Sequence, residues 1–340
     1  MRIAIVGNSG SGKSTLAAQI AAAGSTAKAV KNTAAHSIAT LDLDTVAWEP
    51  GQVAVGRSPE AAAADVRAFC STYDRWVVEG CYGTLVAQAV EYSPILLFID
   101  PGIEACLANC RSRPWEPHKY ASKAEQDGKL EYLLSWVRGY YTRVDELSLH
   151  AHQALFESYR GLKLRLAHHR TSWLDDLAAR FQECAVPAKE WTHAAHLVVG
   201  LWHVDRYGRA DALGRLRNGI RRLNESHGGV NSTTNGYHET ITAAYVQLLS
   251  QYLDRYHTDM ALEMRAFDLL AGPLAARDIL FTFYSRDRLM STAARVDWLE
   301  PDLAPIDVEA TTYRGVFRVI PDCVDNGRSV GSRDDPNRPD

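Results

Sequence analysis

The pattern in this sequence with the clearest chemistry is a glycine-rich stretch close to its beginning. Residues 7–15 read Gly-Asn-Ser-Gly-Ser-Gly-Lys-Ser-Thr and directly follow the apolar run Ile3-Ala4-Ile5-Val6. The spacing G-x-x-x-x-G-K-[ST], between an apolar strand and a helix, is typical of a loop that wraps around phosphate groups. Glycines tolerate positive φ angles, which lets successive backbone N–H groups turn toward an anion. The stretch therefore predicts a binding site for a nucleoside triphosphate.

The polar residues of this stretch have expected roles at such a site. Lys13 is expected to contact the β- and γ-phosphates, and the Ser14 hydroxyl to bind Mg²⁺. The N-terminus of the helix that starts here adds a dipole that favours an anion. We therefore predict that ATP and Mg²⁺ are held by Gly7, Asn8, Ser9, Gly10, Ser11, Gly12, Lys13, Ser14 and Thr15.

Composition and charge narrow the class of protein. The chain has 340 residues, of which 46% are hydrophobic and 23% charged, and its formal net charge is −4. This charge offers no general attraction for nucleic acid or for an acidic membrane surface. No apolar run approaches the roughly 20 residues that span a bilayer, and the first residues read as a strand rather than a secretory signal. We therefore expect a cytoplasmic protein with reduced cysteines and without a nucleic-acid or membrane partner.

Alternating apolar runs and helical patterns in the first half predict the elements that position the loop. The strand candidates are Ile3–Val6, Ile38–Leu43, Trp76–Glu79, Ile95–Ile99 and Leu162–Leu166. The helical candidates are Ser14–Ala23, Pro59–Ser71, Ile103–Cys110, Lys123–Tyr159 and Ser172–Cys184. Short strands separated by helices indicate an α/β fold, with a parallel sheet and helices on both faces. Such sheets bind ligands beyond the carboxyl ends of their strands, where the glycine-rich stretch lies.

After residue 184 the strand pattern disappears. Apolar residues recur at helical spacing over four segments and then over one or two shorter helices. These segments are Trp191–Tyr207, Ala210–Ser226, Tyr237–Tyr256, Met260–Ala271 and Arg277–Leu299. We therefore predict an α/β domain over residues 1–184 and an all-α domain over residues 185–320, with the boundary near Ala185-Val186-Pro187. Residues 321–340 are rich in Asp, Arg, Asn, Gly and Pro, which predicts a disordered tail.

Further motifs follow the glycine-rich stretch along the first half. They are Leu43-Asp44-Thr45-Val46-Ala47-Trp48-Glu49-Pro50-Gly51, Arg75-Trp76-Val77-Val78-Glu79-Gly80-Cys81-Tyr82-Gly83, Ile95-Leu96-Leu97-Phe98-Ile99-Asp100-Pro101 and Cys110-Arg111-Ser112-Arg113. In this order, residues 1–184 resemble the small P-loop kinases of the adenylate, shikimate and gluconate kinase group. The most similar subgroup is the one described as DNA topology modulation proteins or adenylate kinase-related kinases. The resemblance implies a three-layer P-loop NTPase fold and transfer of the γ-phosphoryl group of ATP to a small molecule or a nucleotide.

The resemblance also implies catalytic roles for Lys13, Asp44, Glu79, Arg111 and Arg113. Asp44 matches the acid that faces the acceptor or the water shell of Mg²⁺, and Glu79 stands where the subgroup usually has Asp. Arg111 and Arg113 match the lid arginines that clamp the transferred phosphoryl group. Physical chemistry agrees, because phosphoryl transfer depends on positioning and on cationic neutralisation, and an acid can orient the acceptor hydroxyl or take its proton.

Plainer interpretations of these residues stay open. Asp44 and Asp42 can be caps of the next element, Glu79 a buried paired acid, and Arg111 with Arg113 a solvated helix end. Arg143 and Arg165 are further candidates for contacts with phosphate, although helices and strands carry many ordinary arginines. Trp48 and Tyr82 line either an acceptor pocket or the core.

The helical half concentrates histidine. His193 and His196 share one stripe of a predicted helix, and His238 opens another helix. If the two helices pack together, His193, His196 and His238 form a tentative transition-metal site, of a kind that helix bundles hold for Zn, Fe, Ni or Cu. The alternatives are a polar ligand pocket that uses Arg288 and Arg295, or a purely structural role.

Three functions follow from these patterns. The leading prediction is an ATP-dependent kinase for a small molecule or a nucleotide, with an appended helical domain. The second is a regulatory protein that senses ATP without transferring phosphate. The third is a histidine-ligated, metal-dependent enzyme in the helical half. The sequence does not identify the acceptor or the oligomeric state.

Overall fold

A computed structural model describes residues 1–26, 37–49, 55–115, 121–168, 173–256 and 259–311. The predicted tail over residues 321–340 lies outside the described residues, as do Pro50 and Gly51 of the motif after the second predicted strand. In the described ranges, no helix is both long and apolar enough to cross a membrane. The five cysteines described there have free thiols.

Five parallel strands form one sheet in the order β2-β3-β1-β4-β5. The strands are β1 Arg2–Gly7, β2 Ala39–Asp42, β3 Trp76–Gly80, β4 Ile95–Ile99 and β5 Lys163–Leu166. The α/β prediction with a parallel sheet is confirmed, and each predicted strand agrees with an observed one to within one residue at either end. The agreement has a physical reason: β3 and β4 are buried along their whole length, and such strands read as continuous apolar runs.

Nine helices are described along the first half of the chain. They are α1 Lys13–Thr26, α2 Asp44–Ala47, α3 Pro59–Thr72, α4 Gly83–Val90, α5 Ile103–Arg111, α6 Lys123–Gly128, α7 Leu130–Gly139, α8 Leu149–Ser158 and α9 Trp173–Gln182. The prediction of one helical stretch over Lys123–Tyr159 was too coarse, because three separate helices occupy it. The prediction also missed α4, whose first turn is capped from far along the chain: the backbone N–H of Thr84 donates to Oε2 of Glu146 at 3.0 Å.

In the second half, the described residues from 187 to 311 form helices and no strand. The helices are α10 His193–Ser226, α11 Glu239–Arg255, α12 Leu262–Ala271, α13 Arg286–Leu289 and α14 Thr292–Val296, with short 3₁₀ turns over Pro273–Ala275, Ile279–Thr282 and Val308–Thr311. The two helices predicted over Trp191–Tyr207 and Ala210–Ser226 are joined in α10. The junction is Gly208, whose φ of +71° interrupts the helical backbone and suits a residue without Cβ.

The cores of the two halves are continuous. One buried apolar cluster runs from Ile3 and Ile5 on β1 through α9, α10, α11, α12 and α13. Trp173 of α9 stacks on Phe267 of α12, with ring centroids 5.3 Å apart. The opposite face of the sheet packs in a second cluster that includes residues of α3, α4 and α8. The predicted boundary near residues 185–187 therefore does not separate two independent cores, because the helical half covers one face of the sheet.

Candidate functional site

The glycine-rich loop leaves the sheet at the end of β1 and runs into α1. Gly10 has a φ of +77°, and a Cβ atom there would lie 2.4 Å from the carbonyl oxygen of Cys106 in α5. Nδ2 of Asn109, also in α5, donates to the carbonyl oxygen of Gly10 at 2.8 Å. Nδ2 of Asn8 donates to the carbonyl oxygen of Val137 in α7 at 3.1 Å. The loop is thus held by α5 and α7, and only glycine fits at position 10.

The interior of the loop contains a cation and unsatisfied polar atoms. Lys13 is 8% exposed, and its Nζ donates to the carbonyl oxygen of Asn8 at 2.9 Å. Oγ of Ser11 and Oδ1 of Asn8 are buried and have no hydrogen-bond partner among the described residues. Buried polar atoms nearly always have a partner, so these two atoms are exceptions inside the loop.

A cavity of about 370 Å³ opens beside the loop at the carboxyl ends of the strands. It is lined by Ser9, Gly10, Gly12, Lys13, Ser14, Thr15, Asp42, Asp44, Glu79, Gly80, Cys81, Asn109, Ser112, Arg113 and Pro114. The fold therefore brings together four of the five predicted catalytic residues and most of the predicted loop. Gly7, Asn8 and Ser11 contribute to the loop itself without lining this cavity. We call it the charged cavity.

Glu79 is the most deeply buried carboxylate of the charged cavity. It is 5% exposed and lies on β3 between Ile5 of β1 and Asp42 of β2 in register. Burial raises the pKa of its carboxyl group, whereas the charge of Lys13 and a hydrogen bond from the Ser14 hydroxyl lower the pKa. Nearby acids reinforce the effect of burial. A carboxylate with a raised pKa is a stronger proton acceptor, so Glu79 is suited to general base catalysis.

Asp44 is oriented by two aromatic residues. The Tyr82 hydroxyl donates to Oδ1 of Asp44 at 2.8 Å, and Nε1 of Trp48 donates to the Tyr82 oxygen at 2.8 Å. The local turn at the start of α2 uses a different acid, because Oδ1 of Asp42 accepts the backbone N–H of Asp44 at 2.9 Å. Asp42, the other predicted cap, makes this turn contact, and the Asp44 side chain contacts Tyr82.

The two predicted lid arginines differ in their placement. Arg113 is half-buried and lines the charged cavity. Arg111 is the last residue of α5, is exposed, and is not among the described residues that line the cavity. Residues two positions apart at a helix end point to different sides, so the sequence pair could not place both in one site. Asn109, which lines the cavity, was missed, because its position depends on how α5 packs against the loop.

The other candidate arginines have partners of their own. Arg165 forms ion pairs with Asp100 at 2.7 Å and with Glu190 at 3.0 Å. The Arg143 guanidinium packs over the Trp136 ring at 4.0 Å from the centroid and donates to the Trp136 carbonyl oxygen. These contacts give both arginines structural roles.

A buried histidine behind the charged cavity was not predicted as a site residue. His152 is fully buried, and its two ring nitrogens lie 2.9 Å from the carbonyl oxygen of Cys81 and 2.9 Å from the Tyr140 hydroxyl. Burial lowers the pKa of His152 to about 4, so the ring is neutral at pH 7. It fixes the backbone two residues after Glu79. The contact joins residues 71 positions apart, and no local sequence signal points to it.

His238 does not face a metal site. Its Nδ1 accepts the backbone N–H of Ile241 at 3.3 Å and caps α11, and its Nε2 lies 3.0 Å from the carbonyl oxygen of Leu289. Both ring nitrogens are therefore used by the backbone. Arg288 and Arg295, named for a polar pocket, likewise donate to backbone carbonyl oxygens.

His193 and His196, the other two histidines of the predicted metal site, contact other groups than His238 does. Nε2 of His193 is 3.1 Å from the carbonyl oxygen of Ala275. His196 is exposed, and its ring lies 4.0 Å from the Trp191 ring. Within the described ranges, no group of three or more His, Cys, Asp or Glu side chains is arranged to hold a metal ion. The tentative site of His193, His196 and His238 is therefore not formed there, because its members bind different parts of the backbone or face solvent.

The charged cavity combines groups that bind an anion with groups that accept a proton. Lys13 and the start of α1 favour negative charge, and Glu79 and Asp44 line the same cavity, with Glu79 close to Lys13 and Ser14. This combination suits transfer of a phosphoryl group to a hydroxyl. In comparisons with known proteins, no family model, curated protein or solved structure matches this chain.

Proposed function

We propose that this protein is an ATP-dependent phosphotransferase of the P-loop kinase type, in which the helical half covers one face of the sheet. The observation that carries the proposal is the convergence of Lys13, Asp44 and Glu79 on one cavity beside the glycine-rich loop. These residues belong to α1, α2 and β3, and the parallel sheet places them at the edge where α/β folds bind ligands.

The loop residues fit a triphosphate with Mg²⁺. Lys13 supplies a buried cation, and Ser14 and Thr15 line the charged cavity beside it. Lys13 would hold the β- and γ-phosphates, and Ser14 would ligate Mg²⁺, whose charge neutralises the phosphate oxygens. The Ser14 hydroxyl donates a hydrogen bond to Glu79, so the lone pairs of the Ser14 oxygen stay available to a cation.

The carboxylates of the charged cavity position the acceptor hydroxyl and accept its proton. In the proposed reaction the acceptor oxygen forms a bond to the γ-phosphorus, and the bond from that phosphorus to the bridging oxygen breaks, its electron pair leaving with ADP. Glu79 takes the hydroxyl proton, since its raised pKa suits a base. Asp44, which the Tyr82 hydroxyl orients, positions the hydroxyl, and Arg113 neutralises charge at the cavity rim.

An untargeted metabolite phosphorylation assay with Mg²⁺·ATP tests the proposal. The wild-type protein is expected to form a phosphorylated product, and Lys13→Ala to form none. Lys123→Ala is the matched control, because Lys123 is exposed and pairs with Asp127 away from the loop. Retained transfer by the Lys13 variant would contradict the proposal.

A regulatory role as an ATP sensor is the second candidate, and one feature favours it. Asp100, just beyond β4, pairs with Arg165, which pairs with Glu190, and Glu190 also pairs with Arg180 of α9 at 2.7 Å. This chain of ion pairs joins the sheet edge to the segment that enters α10, a connection between the two halves that a sensor requires. Tight ATP binding without any phosphorylated product in the same assay would favour the sensor.

A further inference from the structure

A second and larger cavity lies next to the charged cavity. It has a volume of about 550 Å³ and is bounded by residues of α2, α3 and α4 and by the segment before α8. Much of its wall is apolar, with Ala47, Ala62, Ala63, Leu85 and Leu147 among the lining residues. The charged cavity, in contrast, is lined mainly by polar and ionised groups. We call the second one the apolar cavity.

A chain of hydrogen-bonded side chains links the two cavities. Trp48 and Tyr82 line the apolar cavity, and Asp44 lines the charged cavity. The hydrogen-bond chain from Trp48 to Tyr82 to Asp44 crosses between them, with both distances at 2.8 Å. A hydroxyl that approaches Tyr82 from the apolar cavity therefore comes close to the carboxylate that we propose positions the acceptor.

The two carboxylates of the apolar cavity lie at the N-termini of helices. Glu146 accepts hydrogen bonds from the backbone N–H and the hydroxyl of Thr84 at the start of α4. Glu60 is exposed in the first turn of α3, where the helix dipole favours a carboxylate. Neither carboxylate is in a position that calls for a cationic ligand.

The two arginines of the apolar cavity differ in their partners. Arg57 pairs with Asp65 at 2.6 Å, so its charge is neutralised within the fold. Arg67 hydrogen-bonds to the amide oxygen of Gln88, and none of the described carboxylates pairs with it. Arg67 therefore offers a charge-assisted contact to an anion that enters the cavity.

We propose that the apolar cavity binds the acceptor, and that the acceptor is a small organic anion with an apolar or aromatic body and one hydroxyl group. Its carboxylate would contact Arg67, its body would lie on Trp48 and the apolar wall, and its hydroxyl would extend past Tyr82 to Asp44 and Glu79 in the charged cavity. A polyol or a nucleotide fits this surface less well, because its many polar groups would lose water without finding partners on alanine and leucine side chains. The acceptor role rests on the proposed kinase function, whereas the binding preference does not.

Binding of small probes to the full chain, without ATP, tests the preference. The probes are 4-(hydroxymethyl)benzoate, its neutral analogue 1,4-benzenedimethanol, D-gluconate and AMP, measured by titration calorimetry. We expect 4-(hydroxymethyl)benzoate to bind at least about tenfold more tightly than D-gluconate and AMP, because only its body matches the apolar wall. Equal or tighter binding of D-gluconate or AMP would overturn the proposal, as would the absence of binding by every probe.

Two variants of α3 locate the binding site. Ala63→Trp fills the apolar cavity and is expected to abolish binding of 4-(hydroxymethyl)benzoate. Ala64→Trp, at the exposed neighbouring position that does not line the cavity, is expected to leave it unchanged. Unchanged binding by Ala63→Trp would contradict the assignment. The melting temperature of each variant shows whether it folds.

A third variant tests the charge and does not depend on filling the cavity. Arg67→Gln, at an exposed position, is expected to weaken the carboxylate probe about tenfold and the neutral diol hardly at all, since it removes one charge-assisted contact. An equal effect on both probes would contradict a role for Arg67. Because all these titrations omit ATP, their failure is distinct from a failure of the kinase proposal, which would appear as missing ATP binding or transfer in the wild-type protein.

Discussion

Two regions of this molecule carry groups that the sequence singled out for chemistry, and the fold treats them differently. At the sheet edge, Lys13, Asp44 and Glu79 line one cavity although they belong to three separate elements. In the helical half, His193 and His238 lie close to backbone carbonyl oxygens of two different segments. The first arrangement leaves reactive groups facing space for a ligand, and the second uses them to hold helices.

The comparison shows that spacing along one helix is weaker evidence for a site than position at strand ends. Parallel strands deliver their carboxyl ends to one edge, so acids that follow different strands must come together. Histidines on one face of a helix form a metal site only if a packed second helix places further ligands opposite them. In this chain, His193 and His238 instead contact backbone carbonyl oxygens.

The largest expected effect concerns the proposed base. Glu79→Gln keeps the size of the side chain but removes proton acceptance, and turnover is expected to fall by about 10³-fold, within the usual range for a general base. ATP affinity should stay within a few-fold of wild type. Glu91→Gln, at an exposed position after α4, is the control. Turnover that is unchanged in Glu79→Gln would make Glu79 a structural acid.

The second-largest effect is expected from adding a side chain at Gly10 in the glycine-rich loop. Gly10→Ala places a Cβ 2.4 Å from the Cys106 carbonyl oxygen at a positive φ, so the loop must shift. ATP affinity, measured by calorimetry, is expected to fall by about 100-fold, which corresponds to about 2.7 kcal/mol. Gly128→Ala has open space around it and is the matched control. An affinity equal to wild type would show that the loop does not bind the nucleotide in this shape.

Acid is expected to destabilise the sheet edge through His152. Its pKa is about 4 in the folded protein against 6.5 in an exposed chain, so the folded state binds the proton less well. The stabilisation from the neutral ring is complete above pH 6.5 and is lost as the pH falls toward 4, at up to about 1.4 kcal/mol per pH unit and about 3 kcal/mol in total. Urea unfolding between pH 7 and pH 4 measures this loss. His152→Gln should have a shallower pH dependence, and an unchanged slope would contradict the assignment.

The smallest effect is expected in the helical half. His238→Ala removes the cap of α11 and should lower the free energy of unfolding by about 1–2 kcal/mol, as for other helix caps. ATP affinity and metal content should not change. His150→Ala, exposed on α8, is the control in the same urea titrations. A loss of bound metal on replacing His238 would contradict the structural role that we assign to this histidine.

The features predicted well were those with a local cause. Buried parallel strands read as apolar runs, the glycine-rich spacing marks the loop, and Asp44 and Glu79 lie at strand ends. Features that depend on distant partners escaped prediction. The start of α4 needs Glu146, and the backbone beside Glu79 needs His152, each from more than sixty residues away.

The residues that line each cavity were also hard to predict from local sequence. Arg111 and Arg113 look equivalent in the sequence, yet only Arg113 lines the charged cavity, because the end of α5 turns them to different sides. The apolar cavity is built from α2, α3, α4 and the segment before α8, whose packing no single stretch of sequence specifies.

The central claim is that the buried ammonium of Lys13 and the surrounding loop form a nucleotide site. The most direct measurement is the binding isotherm of Mg²⁺·ATP for the wild-type protein, Lys13→Ala and Lys123→Ala. We expect one site per chain in the wild type and in Lys123→Ala, and a loss of affinity of about 100-fold or more in Lys13→Ala, because a charge-assisted contact to phosphate is removed from a buried position. Equal affinities in all three proteins, or no binding by the wild type, would contradict the claim.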